Sequence, residues 1–518
     1  MSEQVVIAID IGTTSTKILA YDKTGNTWAE EEQEYPLYTP HPGWKEQDPE
    51  EIFQALKAAL KRVLKAVDEK GGIPAGVGFS AAMHSLIAMD DEGKPLTGSL
   101  TWADQRSVEE SEALKKGEGH AIYLRTGTPI HPMSPLTKLL WFQKHDKDIF
   151  ERASKWISIK EFVFYRLFNR YIVDYSIASA TGLFNLEQLD WDEKSLELTG
   201  ISKNQLSDPV PTTHQVSGMD ADLAKEFGLP VDIPFVIGAS DGVLANLGVG
   251  AIEPGSIACS IGTSGAIRTV VSKPSVDPKG RIFCYALTDD QWVIGGPINN
   301  GGITFRWARD NLFPDVKQQA KQAGRDAYDD LAEIASKVHP GSDGLLFFPY
   351  LTGERAPYWN ADTKGVFFGL TLDHGRDQMI RSVLEGVMFQ MYTVVIALIE
   401  AGVEPVEFRA NGGFARSELW RQIMADIFET EIMVPESHQS SCMGAAWLTM
   451  YELGMVEQLS DIKDLVKTTV KHEPIKANSD AYNKLKPLFI RLARDLQDDF
   501  GVMADIQRQF AKEQSAGS

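Results

Sequence analysis

At 518 residues the chain exceeds what one hydrophobic core comfortably organises, so two domains of roughly 250 residues are expected. Its 43% hydrophobic content is ordinary for a globular protein. A formal net charge of −21 argues against nucleic acid or an anionic membrane as partner, but leaves room for an anionic small molecule at a locally positive site.

The first element is the short β-branched run Val5-Val6-Ile7-Ala8-Ile9, which reads as a buried strand because turn residues follow at once. Residues 5–10 and 16–21 then form a hairpin around Gly12-Thr13-Thr14-Ser15, and Asp22-Lys23-Thr24-Gly25 turns into a third strand. Asp48-Pro49-Glu50-Glu51 is a helix start, with an Asp cap, Pro in the first position and an acid in the first turn. Helical spacing of Ile52, Phe53, Leu56, Leu60, Val63, Leu64 and Val67 carries it to about residue 69. Val77-Gly78-Phe79-Ser80 returns as a strand, so the first lobe is α/β. Residues 133–205 read as helical and aromatic-rich, with Trp141, Trp156, Phe162 and Tyr165 as core. Strand-like Pro234–Gly238 leads to Asp241, with a helix from Val243.

Glu253-Pro254-Gly255 punctuates the chain near the expected boundary, which divides it into residues 1–247 and 248–518. The second half opens on Ser260-Ile261-Gly262-Thr263-Ser264-Gly265, a near-repeat of the first loop about 250 residues later. It continues through Gly295–Gly302, a helix around 303–312, a polar helical stretch at 315–338, and a strand at 407–410 that ends in Asn411-Gly412-Gly413. The last sixty residues read as charged helix, frayed after about 510. Cys259, Cys284 and Cys442 are widely spaced and read as reduced, buried thiols of a cytoplasmic protein. The N-terminus carries no basic-then-apolar leader, and no apolar run is expected to reach the ~18–20 residues that span a bilayer.

The repeated loops carry the chemistry. A Gly flanked by Thr and Ser after a strand presents backbone N–H groups and hydroxyls that cradle phosphate oxygens. Two such loops point to two related lobes and one polyphosphate. Only the first carries an acid: Asp10 aligns with Ser260, so Asp10 is the candidate ligand for a water-rich Mg2+. Lys17 is either a cation for a terminal phosphate or a solvated strand lysine. Asp241 is the candidate general base, and the same position also suits a helix cap. No G-x-x-x-x-G-K-[ST] loop, protein-kinase glycine loop, H-E-x-x-H or Cys/His cluster is present, which disfavours a P-loop kinase, a protein kinase and a zinc site.

With these loops in place, the chain resembles the FGGY family of carbohydrate kinases, within the actin-like ATPase superfamily. The resemblance rests on Met133-Ser134-Pro135, Lys138-Leu139, Trp141-Phe142 and Lys144-His145, and on Gly365, Phe367, Gly369-Leu370, Gln378-Met379 and Ser382-Val383-Leu384-Glu385. It implies a two-lobed, ribonuclease H-like α/β fold with the active site in the interlobe cleft. The first lobe then binds sugar, Mg2+ and phosphate, and the second binds nucleotide. It further implies ATP and Mg2+ as cofactors, Asp10 at the metal and Asp241 as catalytic base. Gly12, Thr13, Thr14, Ser15 and Lys17 fall on the terminal phosphates, with Gly262 and Thr263 opposing them. Gly302 and Arg306 flank the nucleotide, and Gly412, Gly413 and Ser417 form the adenine-side loop, where Asn411 stands in place of a glycine common in the family.

Substrate contacts fall on Met83, His84, Trp102, Asp104, Arg106 and His131, with Lys138, Asn299 and Asn300 as further candidates. Met83-His84-Ser85 and Thr101-Trp102-Ala103-Asp104-Gln105-Arg106 are similar to the members that act on gluconate, whereas ketopentose members commonly have Gln-Met-His-Gly at the former segment. An open-chain polyol with a carboxylate wants one cation among several hydroxyl partners, and Arg106 is the first candidate. The alternatives are a kinase for xylulose or another sugar and, more remotely, a non-catalytic ATP-binding switch. The expected partners are small molecules alone, and a homodimer is common in such families.

Overall fold

The computed structural model describes residues 3–435 and 439–516. The chain forms two compact units, each assembled from several stretches: residues 1–253, 270–294 and 439–467 in the first, and 254–269, 295–438 and 468–518 in the second.

The first unit is built on a six-stranded sheet. Strands Glu3–Ile11, Ser15–Asp22 and Thr27–Glu34 form an antiparallel meander, as the turn residues between them require. Strand Gly72–Ala81 runs parallel to the first, Phe235–Ser240 runs parallel to that, and a short antiparallel strand, Gln215–Val216, closes the edge. Helix Pro49–Glu69 starts as its sequence requires, with the Asp48 carboxylate accepting from the N–H groups of Glu50 and Glu51. Its apolar stripe packs on one core together with Phe79, Phe162 and Phe235.

A second core of this unit joins Val6 and Ala8 to Leu244, Leu247 and helix Ser440–Glu452. Glycines permit that close crossing. A Cβ on Gly248 would lie 1.8 Å from the Ser440 carbonyl oxygen, and one on Gly444 2.1 Å from that of Leu244. Trp156 and Phe162 are core as expected, whereas Trp141 is only partly buried and lies against Arg106.

The second unit repeats the strand plan. Strand Ser256–Ile261 pairs antiparallel with Gly265–Val271 and parallel with Glu407–Asn411. Ile432–Pro435 adds in parallel and Thr468–His472 closes the edge antiparallel. That last strand corrects the all-helical reading of the final sixty residues, and the helix Gln497–Ala516 runs past the point where fraying was expected.

A second correction concerns helix Arg376–Glu400, which is long and apolar enough to cross a membrane by length and composition. In the structure 83% of its apolar window is buried, so it serves as a core helix. The three cysteines are free and buried.

Candidate active site

Asp10 and Asp241 both stand at the C-terminal ends of parallel strands, on either side of strand Gly72–Ala81. That end of an open α/β sheet is where ligands bind. Register places Asp10 directly opposite Ser80 on one neighbour and Lys17 on the other, and Lys17 opposite Glu32. The Asp10 carboxylate accepts from the Ser80 hydroxyl at 2.6 Å and from the Ser441 hydroxyl at 2.7 Å. The Lys17 ammonium lies 3.7 Å from Glu32.

Asp241 is the first residue of helix Asp241–Gly248 and Ser240 is its cap, so the expected capping role shifts by one residue. One Asp241 carboxylate oxygen accepts from the Gly242 N–H at 2.6 Å. The backbone leading to it is braced from within the unit. Buried Lys160 pairs with Asp174 at 2.7 Å and donates to the Ala239 carbonyl at 3.2 Å, while Ser240 Oγ lies 2.9 Å from Ser176 Oγ.

The loop after Asp10 is fixed by side chains. The Gly12 N–H donates to the Ser15 carbonyl at 3.0 Å, the Tyr35 hydroxyl to the Gly12 carbonyl at 2.6 Å, and the Gln47 amide to the Thr13 carbonyl at 2.7 Å. The Trp102 indole N–H donates to Thr13 Oγ1 at 2.9 Å. Thr14 is exposed, whereas the buried Ser15 hydroxyl donates to Glu32 at 2.5 Å. Trp102 thus ties the expected acceptor segment to the expected phosphate loop.

Lys138 joins two of the acceptor segments. Its buried ammonium donates to the carbonyls of His84 at 2.6 Å and Thr101 at 2.8 Å, and burial pushes it down to about 7. His84 adopts a left-handed backbone (φ 70°), with Nδ1 2.7 Å from the Ala180 carbonyl oxygen, and Met83 packs at the edge of the core. His131 accepts the Met133 N–H on Nδ1 at 3.2 Å.

Asp104 and Arg106 are occupied with each other. The Asp104 carboxylate takes the Lys45 N–H and two guanidinium contacts from Arg106, which also pairs with Glu46. The guanidinium lies 3.8 Å from the Trp44 ring centre, and its side chain is 3% exposed. In this arrangement the pair braces the loop and does not present its charge outward.

In the second unit, Gly262, Thr263, Gly302, Arg306, Gly413 and Ser417 converge on a cavity of about 550 Å³. Gly262 and Gly413 have nothing within 4 Å of an added Cβ, so both offer bare backbone to a ligand. Gly412 just behind has φ +87°, and a Cβ there would lie 2.5 Å from the Ile261 carbonyl oxygen. Arg306 reaches Thr263 Oγ1 at 3.5 Å, and the Ser417 hydroxyl caps helix Glu418–Phe428.

Sequence reasoning missed the aromatic part of this cavity. Phe305, Tyr328, Phe414 and Trp420 line it, with Phe305 packed against both Tyr328 and Trp420. Such a floor suits a planar base. Asn300 is fully buried, its amide spent on Thr352, Gly353 and Glu354, while Asn299 is partly exposed. A larger groove on the first unit, about 590 Å³ and lined by Tyr38, Gln47 and Pro95, contains none of the expected site residues.

The donor set fits Mg2+. Among the described residues no group of three or more His, Cys, Asp or Glu forms a cage. Mg2+ is held by one or two carboxylates with waters and phosphate oxygens, and Asp10, oriented by two hydroxyls and partly exposed, is such a carboxylate.

Comparison with known proteins shows the family. The model of the FGGY family of carbohydrate kinases, N-terminal domain, matches residues 5–248, and that of its C-terminal domain matches 257–453. The gluconokinase of Bacillus subtilis (strain 168) is 51% identical over 505 residues, covering 97% of this chain and 98% of the relative. A xylulose kinase of Staphylococcus epidermidis is 31% identical, covering 93% and 95%. The crystal structure of gluconate kinase from Lactobacillus acidophilus superposes with a TM-score of 0.92 at 36% identity, covering 97% of this chain and 100% of that one.

Proposed function

The chain belongs to the FGGY family of carbohydrate kinases, and from that premise we propose that it transfers the γ-phosphoryl group of ATP to the terminal hydroxyl of D-gluconate, giving 6-phosphogluconate. The observation that carries the substrate is the 51% identity to a gluconokinase along nearly the whole chain, against 31% to a xylulose kinase. The segments Met83-His84-Ser85 and Thr101–Arg106 support the same choice.

In this reading Asp241 accepts the proton of the terminal hydroxyl as its oxygen attacks the γ-phosphorus, and the bond from that phosphorus to the β–γ bridging oxygen breaks to release ADP. Lys160, Asp174 and Ser176 keep the strand end that carries Asp241 in place. Thr13, Thr14 and Lys17 of the first unit, and Thr263 of the second, supply N–H, hydroxyl and ammonium donors for phosphate oxygens, and Gly12 and Gly262 keep the backbone there bare of side chain. Bare backbone at Gly413 and the aromatic floor receive the base. Asp10 holds Mg2+, which supplies charge neutralisation on the phosphates when bound.

The acceptor lies against Met83, His84, Trp102 and His131, with Lys138, Asp104 and Arg106 holding those segments. We place the enzyme in the cytoplasm, a reading supported by its three free, buried thiols.

The test is ADP release from Mg-ATP with D-gluconate beside D-xylulose, L-ribulose, L-rhamnulose and glycerol. The proposal expects gluconate to be preferred by at least about a hundredfold in kcat/KM. Preference for a ketose overturns the substrate assignment, and ADP release independent of any acceptor overturns the transferase.

A further inference from the structure

Glu354 is a fully buried carboxylate to which the phosphoryl-transfer reading gives no task. One oxygen accepts the N–H of Asn299 at 2.5 Å and that of Arg355 at 2.9 Å, and the other accepts the Asn300 amide at 3.2 Å. Asn300 cannot turn over to suit a changed partner. Its oxygen accepts from the Thr352 N–H and hydroxyl, and its NH2 also donates to the Gly353 carbonyl.

The turn held in this way runs directly into Gly301 and Gly302, which open helix Gly302–Asn311. Gly302 donates to the Gly262 carbonyl at 2.7 Å and Ile303 to the Thr263 carbonyl at 3.1 Å. A Cβ on Gly301 would sit 2.7 Å from the Ser264 carbonyl oxygen. An unbroken set of short contacts therefore leads from Glu354 to the loop Gly262–Ser264.

We propose that Glu354 is a positioning residue for nucleotide: as a carboxylate it holds the Asn299–Gly302 turn, and through it the Gly262–Ser264 loop, in the form that receives phosphate. This rests on reading the second-unit cavity as the nucleotide site.

The inference makes nucleotide binding pH-dependent. Burial raises Glu354 to about 7, against the opposing pull of its three N–H donors and of the neighbouring Arg355 guanidinium. The other titratable groups facing it are the phenols of Tyr350 and Tyr358, both raised by their own burial and neutral here. A proton on Glu354 goes to the oxygen with one donor, and the new O–H then points at the pinned Asn300 NH2. Two donors face each other, and the turn loosens as pH falls through about 7.

The stability linkage has the opposite sense. With the folded value above the ordinary 4.5, the folded state binds more protons between about 4.5 and about 7. This group's contribution to stability is therefore present below 4.5 and lost as pH rises through about 7.

Glu354→Gln fixes the neutral form, with its NH2 aimed at Asn300. The experiment is calorimetric titration of ADP, without acceptor, into the full chain and into Glu354→Gln at pH 6, 7 and 8. The ratio of the two affinities cancels the ionisation of ADP itself, whose phosphate also titrates near 6. The expected result is about fivefold to tenfold weaker binding by the variant at pH 8, narrowing to under about twofold at pH 6, with the KM for gluconate moved less than about twofold. A ratio that is constant with pH, equal affinities throughout, or a shift in the acceptor KM alone overturns the proposal.

Amide exchange of residues 299–303 in the unmodified chain, corrected for intrinsic pH dependence, gives a readout that needs no variant. Protection is expected to fall from pH 8 to pH 6, and unchanged protection overturns the positioning role. Absence of ADP binding at every pH condemns the nucleotide reading instead, and exchange still decides the role of Glu354.

Discussion

The loops Gly12–Thr14 and Gly262–Ser264 begin alike and are held in different ways. Each follows a strand with an antiparallel partner on one side and a parallel one on the other, and each starts with a glycine N–H donating back to a nearby carbonyl, at 3.0 Å and 2.9 Å. The first is surrounded by donors from Tyr35, Gln47 and Trp102, and carries the acid Asp10. The second is surrounded by the backbone of Gly301, Gly302 and Gly412, where no side chain fits. One loop is fixed by hydrogen-bonding side chains and the other by their absence. The two should therefore fail under different substitutions.

The largest effect belongs to the acid that opens helix Asp241–Gly248 in the first unit. Asp241→Asn is expected to lower kcat at least about a hundredfold while calorimetry still registers nucleotide and gluconate binding; near-normal turnover removes Asp241 from the mechanism. Next is Gly302→Ala, whose Cβ would lie 2.6 Å from the Gly262 carbonyl oxygen, so backbone has to move. It is expected to raise the KM for ATP about tenfold or more, whereas Gly12→Ala, at 3.0 Å from the Ser15 carbonyl oxygen, is expected to raise it less than about threefold. The reverse order breaks the comparison.

Trp102→Phe removes the indole donor to Thr13 and keeps most of the apolar wall. A lost hydrogen bond of about 1 kcal/mol predicts a roughly fivefold loss in kcat/KM, shared between both substrates because Trp102 joins their segments. The smallest effect concerns buried Lys138, held down at about 7. Between about 7 and its ordinary 10.5 the unfolded chain binds the extra proton, so stability from this group rises with pH across that window. The Tm of the chain relative to Lys138→Met should therefore climb by on the order of 2 °C from pH 6 to pH 9, opposite in sense to the contribution of Glu354. A flat or falling difference contradicts the burial argument.

Much of this was legible where the signal is local. The hairpins, the Asp48 helix start, the duplicated Gly-Thr-Ser loops and the acid after Gly238 are all written in runs of a few residues. Partners brought from afar were not. Ser441, which orients Asp10, lies 431 positions along the chain, and its helix belongs to the first unit although it follows most of the second. Lys160, Tyr35 and Gln47 look like ordinary strand and helix residues until the fold aims them at a carbonyl. Arg106 shows the converse: a cation in the right segment is neutralised by Asp104 and Glu46, whose approach the spacing alone does not reveal. Helix Arg376–Glu400 was missed for another reason: its apolar residues are interrupted by polar ones, and a largely buried core helix and a membrane span share the same apolar length.

The most direct test of the central claim is phosphorus NMR of the product formed from Mg-ATP and D-gluconate. The account predicts one new phosphomonoester resonance coupled to two protons, as for a phosphate on the terminal CH2, growing with ADP and about a hundredfold slower with Asp241→Asn. A resonance coupled to a single proton, inorganic phosphate alone, or equal growth with the variant contradicts it.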